Sequence, residues 1–577
     1  MAMKKQIKYI LIVCALAMLC FSCSSFLDVN PKGTLNDEQL DAPEAVEKMV
    51  IAAYALVEND NVQLVPWLYA DLRSGDAYKG GGGPSDMAFA HTIEVPNMLR
   101  TNVPEINNKW VHTYIAVSRA NNALARIRKL TEREYPKKDI RAAEMRFLRA
   151  HHLFELKRIF KYIVWPDETL TDEELLETSN RQYSDTELWN KIIEDFRFAV
   201  ANLPDNNEDV GRANKFSAKA YLAKVLLYAA YEQDEQNNVV NINKDKLQEV
   251  VTLVTGIGAR YKLVTDFADN FRWETENGPE SIFAIQSSHD DDTDFGRLNM
   301  TSALSYPMSD GYGCCGMHIP SQELVNAFKT DAGTGLPLFD TFNKEGEDIQ
   351  NAADIKARTI DPRLLHTVAM TGLPYKYKEG HIVGMSFPRE AGIYYGSFLS
   401  IKETVAYDCP CFRQARWYYS SSLNRDILRY DDALLWKAEA LIELGRLSEA
   451  REIINSLRER AAKSTALLKD ENGILLETAH VFSVSTYKEE FQNQDEARKA
   501  LRWERRLELA MEASRGFDLV RWGIAAETLN AYYATESLRR EHLKTAHFTK
   551  NRDEYFPIPY QQISFSRGLY KQNQGWE

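Results

Sequence analysis

Seven stretches of this 577-residue chain place apolar residues at three-and-four spacing: Trp110 to Leu130, Ile140 to Phe160, Thr186 to Leu203, Ser217 to Tyr231, Arg429 to Leu444, Ser448 to Ala461 and Asp495 to Trp522. That period is helical, so each stretch is expected to form an amphipathic helix. In the third, Trp189, Ile192, Ile193, Phe196, Val200 and Leu203 fall on one stripe, and Pro204 stops the helix. Such a stripe has to pack on a neighbour. From Leu434 to Ala461, the residues Ala438, Gly445, Ala450 and Ile454 sit at the offsets where tetratricopeptide helix pairs place small or apolar contacts. The pairs Trp110 to Phe160 and Ser217 to Thr255 have longer connections. The expected fold class is therefore mainly α, a tetratricopeptide-like scaffold of divergent helical pairs with long irregular loops.

The N-terminus carries Lys4, Lys5 and Lys8, an apolar run from Tyr9 to Leu19, and then Ser22-Cys23-Ser24-Ser25, the pattern of a bacterial export signal. The run falls short of the roughly 20 apolar residues that a membrane-spanning helix needs. Cys23 follows the small Ser22, whereas Cys20 follows bulky Leu19, so residues 1–22 read as a lipoprotein signal peptide and Cys23 as the lipidated residue. At about 0.8 kcal/mol per buried methylene, several acyl chains on one cysteine anchor a protein durably. The net charge of −13, with no clustered basic face, argues against nucleic acid as a partner. Of seven cysteines, those outside the N-terminal segment form two close pairs, Cys314-Cys315 and Cys409-Pro410-Cys411. An oxidising exterior favours disulfides there, and the spacings miss those of structural zinc sites.

Three long stretches lack helical period: Pro66 to Pro104, Phe267 to Met317 and Thr330 to Asp426, so that roughly residues 267–426 form a loop-rich insertion. Loops of that length usually carry function, and their aromatic content argues against disorder. Enzyme signatures are missing. His151-His152-Leu-Phe-Glu155 lacks the second histidine of a zincin, Gly80 to Pro84 lacks the end of a phosphate loop and reads as a flexible connection, and no nucleophile elbow is present. A glycosidase needs only two carboxylates roughly 5 to 10 Å apart, and Asp71, Asp76 and Glu94 are available for that role.

What recurs is flat aromatic rings beside polar groups: Trp67, Tyr69, Asp71, Arg73, Asp76 and Tyr78 in one loop, then Trp273, Tyr312, Tyr394-Tyr395 and Trp417-Tyr418-Tyr419. The C–H face of a pyranose packs on such rings while Asp, Asn and Arg engage its hydroxyls. The candidate ligand-binding residues are Trp67, Asp71, Arg73, Asp76, Tyr78, Trp273 and Tyr312, with no catalytic residue and no metal ligand. Asp71, Arg73 and Asp76 are favoured because charged residues have less reason to be internal.

Several motifs, in order, resemble one family. They are Cys23 followed by Phe26-Leu27-Asp28 and Pro31; Arg146-Phe147-Leu148-Arg149-Ala150; Gly211-Arg212-Ala213; Glu280-Ser-Ile282-Phe283; and Asp361-Pro362-Arg363-Leu364. Toward the C-terminus come Leu428-Arg429-Tyr430, Lys437 to Ala440, Glu504 to Ala510, Phe517-Asp518-Leu519, Arg521-Trp522-Gly523 and Phe556 to Pro559. Glu504, Arg505, Arg506 and Asp518 supply charges that can pair at a helix junction, and Pro557 and Pro559 stiffen an extended tail. Over nearly its whole length the chain resembles the SusD-like, or RagB-like, outer-membrane nutrient-binding lipoproteins. The resemblance implies one domain over 23–577 with four tetratricopeptide-like pairs and a few short strands. It also implies a lid over a SusC-like TonB-dependent transporter, with neither cofactor nor catalysis. By position, Asp71 to Tyr78 and the loop around Tyr312 lie where such proteins tend to contact sugar; Cys314-Cys315 departs from the pattern. The expectation is a cell-surface lipoprotein of the outer membrane that binds oligosaccharides and delivers them to that transporter. Peptide or other nutrient capture, a surface glycoside hydrolase and a purely structural cap are the alternatives.

Overall fold

The computed structural model describes residues 3, 37–58, 61, 63–294, 296–309, 311–389, 394–415 and 417–576; the expected signal peptide and Cys23 lie outside them. A short helix α1, Pro43–Tyr54, leads into α2, Pro104–Lys129, and α3, Lys138–Phe160. Next come α4, Asp185–Asn202, α5, Lys215–Ala230, and α6, Lys244–Ile257. Starts are fixed locally. The Ser184 hydroxyl accepts from the Glu187 backbone and the Glu187 carboxylate accepts from the Ser184 N–H, while Asn214 and Ser217 cap α5 in the same reciprocal way. Each of α2 to α6 packs on the next, and α6 packs on α7, Tyr430–Glu443, which pairs with α8, Leu447–Lys463. Small residues allow that pairing to be close: Ala438, Ala450 and Ile454 are fully buried. Gly445 makes the turn at φ +79°, where Gly445 N–H donates to Ile442 O at 3.0 Å and Arg446 N–H to Leu441 O at 2.8 Å. The mainly α, tetratricopeptide-like scaffold expected from the periodicity is the scaffold observed.

One expected helix is two. Asp495 to Trp522 resolves into α9, Gln494–Glu508, and α10, Arg515–Arg521, followed by α11, Ala525–Glu536. Met511 and Ala513 between them have φ of +64° and +58°. The break turns the Ala513 N–H onto the carboxylate of Asp71, 3.1 Å from both oxygens. A backbone donor that a continuous helix would have satisfied internally is thereby satisfied by a distant carboxylate.

Among the described residues, ten short strands pair only in twos, all antiparallel. They are β1, Ala77–Gly80; β2, Tyr231–Gln233; β3, Val239–Ile242; β4, Ser281–Ile285; and β5, Met317–Pro320. The rest are β6, Val368–Ala369; β7, Leu399–Ser400; β8, Phe412–Ala415; β9, Tyr418–Ser421; and β10, Arg425–Arg429. β1 pairs with β5, β2 with β3, β4 with β10, β6 with β7 and β8 with β9. The main core runs through the helical scaffold, and a second, aromatic core built on Tyr306, Tyr312, Tyr375, Phe387, Leu399 and Cys411 sits within the loop-rich region. No described helix is long and apolar enough to cross a membrane.

Candidate ligand-binding face

The segment from Trp67 to Tyr78 is interior. Its short helix, Pro66–Tyr69, and the following turn, Asp71–Arg73, are buried, and so is β1. Asp71 and Asp76 are each 1 % exposed, which corrects the expectation that their charge keeps them at the surface. A buried charge is tolerated when partners replace its water, and here they come from distant elements. Asp71 Oδ2 lies 2.9 Å from His318 Nε2, whose ring stacks on Trp67 with centroids 4.7 Å apart. Asp76 accepts from Arg506 Nε at 2.8 Å. Against the desolvation that burial imposes, the carboxylates of Asp76 and Glu323 hold the Arg506 guanidinium above its ordinary pKa. Arg73 donates to the Asp553 carbonyl and lies over the Phe556 ring, 4.6 Å from its centroid. Tyr78 donates to Glu536 and accepts from Gln322 N–H at 3.1 Å.

The three carboxylates available for a glycosidase pair are all engaged inside. Burial raises the pKa of Asp71, and Glu94, although desolvated, is drawn down to about 2 by the imidazoles of His542 and His91. His151 and His152 are also internal, and burial pushes His151 down to about 4. Glu504, Arg505, Arg506 and Asp518 do pair at a junction. Arg505 meets Asp518 at 2.7 Å, and Glu504 meets Arg363 at 2.7 Å and Arg458 at 3.2 Å. Beside this junction lies a polar cavity of about 150 Å³ whose lining includes Lys109, Arg158, Glu403, Arg425 and Asp426. Burial is the main reason the Glu403 carboxyl rises to about 8.

Gly80 to Pro84 is held firmly, where the sequence alone suggested a flexible connection. The buried Lys79 ammonium donates to Gly80 O at 2.8 Å and Gly83 O at 3.0 Å, and also to Asp86 O. Burial lowers Lys79 to about 8. Gly81 N–H donates to Gly316 O at 2.8 Å, which ties this loop to the loop 311–316.

The loop 311–316 is where the other aromatic segments converge. Tyr312 is the centre of the second core, with ring centroids 5.6 Å from Tyr306, 5.5 Å from Tyr375 and 5.3 Å from Phe412. Its hydroxyl donates to Val405 O at 3.1 Å. A Cβ on Gly313 would lie 2.3 Å from the Tyr419 ring, and one on Gly316 would lie 2.7 Å from the Pro388 carbonyl, so both positions are restricted to glycine by contact. Tyr407 packs edge-on to Tyr312 at 6.2 Å and to His381 at 5.0 Å. Trp273 is half-buried at the side of this core, 6.5 Å from His289. Both cysteine pairs in this region are disulfides.

Several rings of the loop-rich region are open to solvent. Trp417, at the turn between β8 and β9, is 60 % exposed, Tyr394 is 46 % and Tyr407 is 42 %, with Met308 and Met385 also exposed. Of the seven candidate ligand-binding residues, Tyr312 is buried in the second core and Trp273 packs at its edge, whereas Trp67, Asp71, Arg73, Asp76 and Tyr78 are buried in β1 and the segment before it. Tyr407 escaped the sequence reading. Its neighbour Asp408 and the Cys409-Pro410-Cys411 turn were the only local signal that it stands at a loop tip.

Comparisons with known proteins agree on one family. The family model described as the SusD family matches residues 279–576, and one described as starch-binding associating with outer membrane matches residues 25–227. The chain is 24% identical over 573 residues to a SusD-like protein of Bacteroides ovatus, covering 94% of this chain and 88% of that one. Its fold is similar to the crystal structure of a SusD-like protein from Bacteroides fragilis, with a TM-score of 0.69, 22% identity and coverage of 94% and 98%. It is also similar to a laminarin binding SusD-like protein, with a TM-score of 0.65, 19% identity and coverage of 92% and 99%. With a family model spanning more than half of its length, the chain belongs to the SusD family.

Proposed function

We propose that this chain is a surface lipoprotein of the outer membrane, anchored through Cys23, that captures oligosaccharides on its exposed aromatic face and passes them to a SusC-like TonB-dependent transporter. The observation that carries this reading is the contrast within one region. Tyr407 and Trp417 are exposed although residues close to them in sequence, Val405, Cys411, Phe412 and Tyr419, are packed in or against the second core. Exposed apolar rings held on ordered supports mark binding surfaces, and a flat ring face suits the C–H face of a sugar. Polar groups stand beside them: Lys378 lies 4.7 Å from the Tyr407 ring centroid, and Arg413 pairs with Asp290 at 2.9 Å. The description of the N-terminal family model as starch-binding and the laminarin-binding relative support a glycan as the ligand class.

In this reading Trp273 and Tyr312 form the side and floor of the face. Trp67, Asp71, Arg73, Asp76 and Tyr78 act from behind, fixing β1 and the loop after it. Binding occurs without turnover, since Asp71, Asp76 and Glu94 are committed to internal partners. The test is calorimetric titration of the purified protein with a panel of β-glucan, α-glucan, xylan and mannan oligosaccharides and of peptides, with products assayed in the same samples. Saturable sugar binding without products is expected. Products, binding confined to peptides, or silence across the panel would each overturn the reading.

A further inference from the structure

The four described cysteines all lie in the loop-rich region, Cys411 in the second core with Cys409 at its edge, and Cys315 in the main core with Cys314 at its edge. Cys314–Cys315 lies between Tyr312, the centre of the second core, and Gly316, which meets the Gly81 loop and the Pro388 carbonyl. Cys409–Cys411 lies between exposed Tyr407 and Phe412, the first residue of β8, whose hairpin carries Trp417. We infer that these two disulfides are positioning elements of the glycan-binding face, holding Tyr407, Tyr419 and the Trp417 hairpin in their binding arrangement before ligand arrives. The inference rests on the glycan-capture reading above.

Three observations carry it. First, each bridge closes over at most one intervening residue, with sequence separations of 1 and 2. A cross-link over so short a loop removes little freedom from the unfolded chain as a whole, so its effect is local. Second, the surrounding segments have little regular structure of their own: β8 and β9 are four residues each, and β6 and β7 are two. Loops of this kind lose conformational entropy when a ligand orders them, and rigid loops avoid that loss.

Third, the bridged residues are knotted into the face by their backbones. Cys411 O accepts from Ser422 N–H at 3.0 Å and Cys409 O from Phe412 N–H at 3.0 Å, while Cys315 O accepts from Arg389 Nη1 at 3.2 Å. Gly316 N–H donates to Tyr306 O at 2.9 Å, and Cys409 N–H to Ala406 O at 3.0 Å. Opening either ring therefore loosens Tyr312 and Gly316 on one side, or Tyr407 and Phe412 on the other, in segments that lie outside the scaffold helices.

The experiment titrates the same oligosaccharide panel into the oxidised protein, the protein reduced with dithiothreitol, and the Cys314→Ser/Cys315→Ser and Cys409→Ser/Cys411→Ser variants. The dithiol delivers two electrons and two protons per disulfide, leaving two thiols and becoming a cyclic disulfide itself. Expected is a roughly tenfold weaker affinity on reduction and in each variant, carried by a less favourable binding entropy, with the main thermal transition retained. Re-oxidation should restore the wild-type affinity. Equal affinity in all forms overturns the inference and leaves glycan capture standing. Weakened binding accompanied by loss of the main thermal transition also overturns it, because the bridges would then be supporting the fold. If the oxidised protein binds no member of the panel, glycan capture itself fails.

Discussion

The Asp76 carboxylate accepts a hydrogen bond at 2.8 Å from Arg506 Nε, across 430 residues of sequence, with both groups buried. This contact joins the segment before β1 to α9, and Glu323 and Arg515 complete the cluster at 3.1 and 3.5 Å. Removing one partner strands the other in a dry site. Asp76→Ala or Arg506→Ala should each destabilise the protein by about 3 to 5 kcal/mol in denaturant titrations, and the double variant should lose less than the sum.

Trp417 is 60 % exposed, so its removal should leave stability almost unchanged, whereas Tyr407, 42 % exposed and packed edge-on against Tyr312 and His381, should cost some stability when removed. Trp417→Ala and Tyr407→Ala are each expected to weaken glycan binding by about 1 to 3 kcal/mol, read by calorimetry, with the thermal midpoint of Trp417→Ala within experimental error of the parent. A loss of stability in Trp417→Ala comparable to its loss of binding would show that the ring supports the fold.

Gly313 has no room for a side chain beside Tyr419. Gly313→Ala has to displace that ring or the loop, at about 1 to 3 kcal/mol of overpacking, and should weaken glycan binding as well. Tyr419→Ala in the same chain opens the space and should recover part of the lost stability.

Glu403 borders the polar cavity, and burial there, reinforced by Glu58 and Glu512 and opposed by Arg425, raises its carboxyl to about 8. A carboxyl whose folded pKa lies above its unfolded value holds its proton more tightly when folded, so stability falls as pH rises from the unfolded value of about 4.3 to about 8. Glu403→Gln imitates the protonated form. It should nearly match the parent near pH 4.5 and exceed it increasingly as pH rises, by about 4 to 5 kcal/mol near pH 8, as measured by urea unfolding at a series of pH values. A constant difference across that range would contradict the shift.

If Cys23 is the lipidated residue, Cys23→Ala should move the protein from the membrane fraction to the soluble fraction, whereas Cys20→Ala should leave it in place. Fractionation followed by immunoblotting reads this directly.

The parts of the fold that were legible in the sequence are those whose cause is local. The stripe on α4 and the small residues of α7 and α8 announce their partners through their own spacing. The charges of Glu504, Arg505 and Asp518 announced a junction because arginines and carboxylates so dense have to pair. The break between α9 and α10 was hidden because its cause is Asp71, which arrives from the far end of the chain. The same holds for the candidate site. Charge alone placed Asp71, Arg73 and Asp76 outside, but His318, Arg506 and the Asp553 carbonyl each wait hundreds of residues away. An aromatic in a loop also reads alike whether it is buried, as Tyr375 is, or open, as Tyr407 is.

The hydrogen bond from Arg73 to the Asp553 carbonyl, together with Asn573 reaching Phe160 O at 2.8 Å, fixes when this protein can finish folding. The helices of the first half can begin to assemble as they are synthesised, but Arg73 finds its carbonyl acceptor only once Asp553 has been delivered, and Phe160 O meets Asn573 later still. The turn that precedes β1 is therefore among the last parts of the scaffold to be secured, although it lies near the start of the described chain.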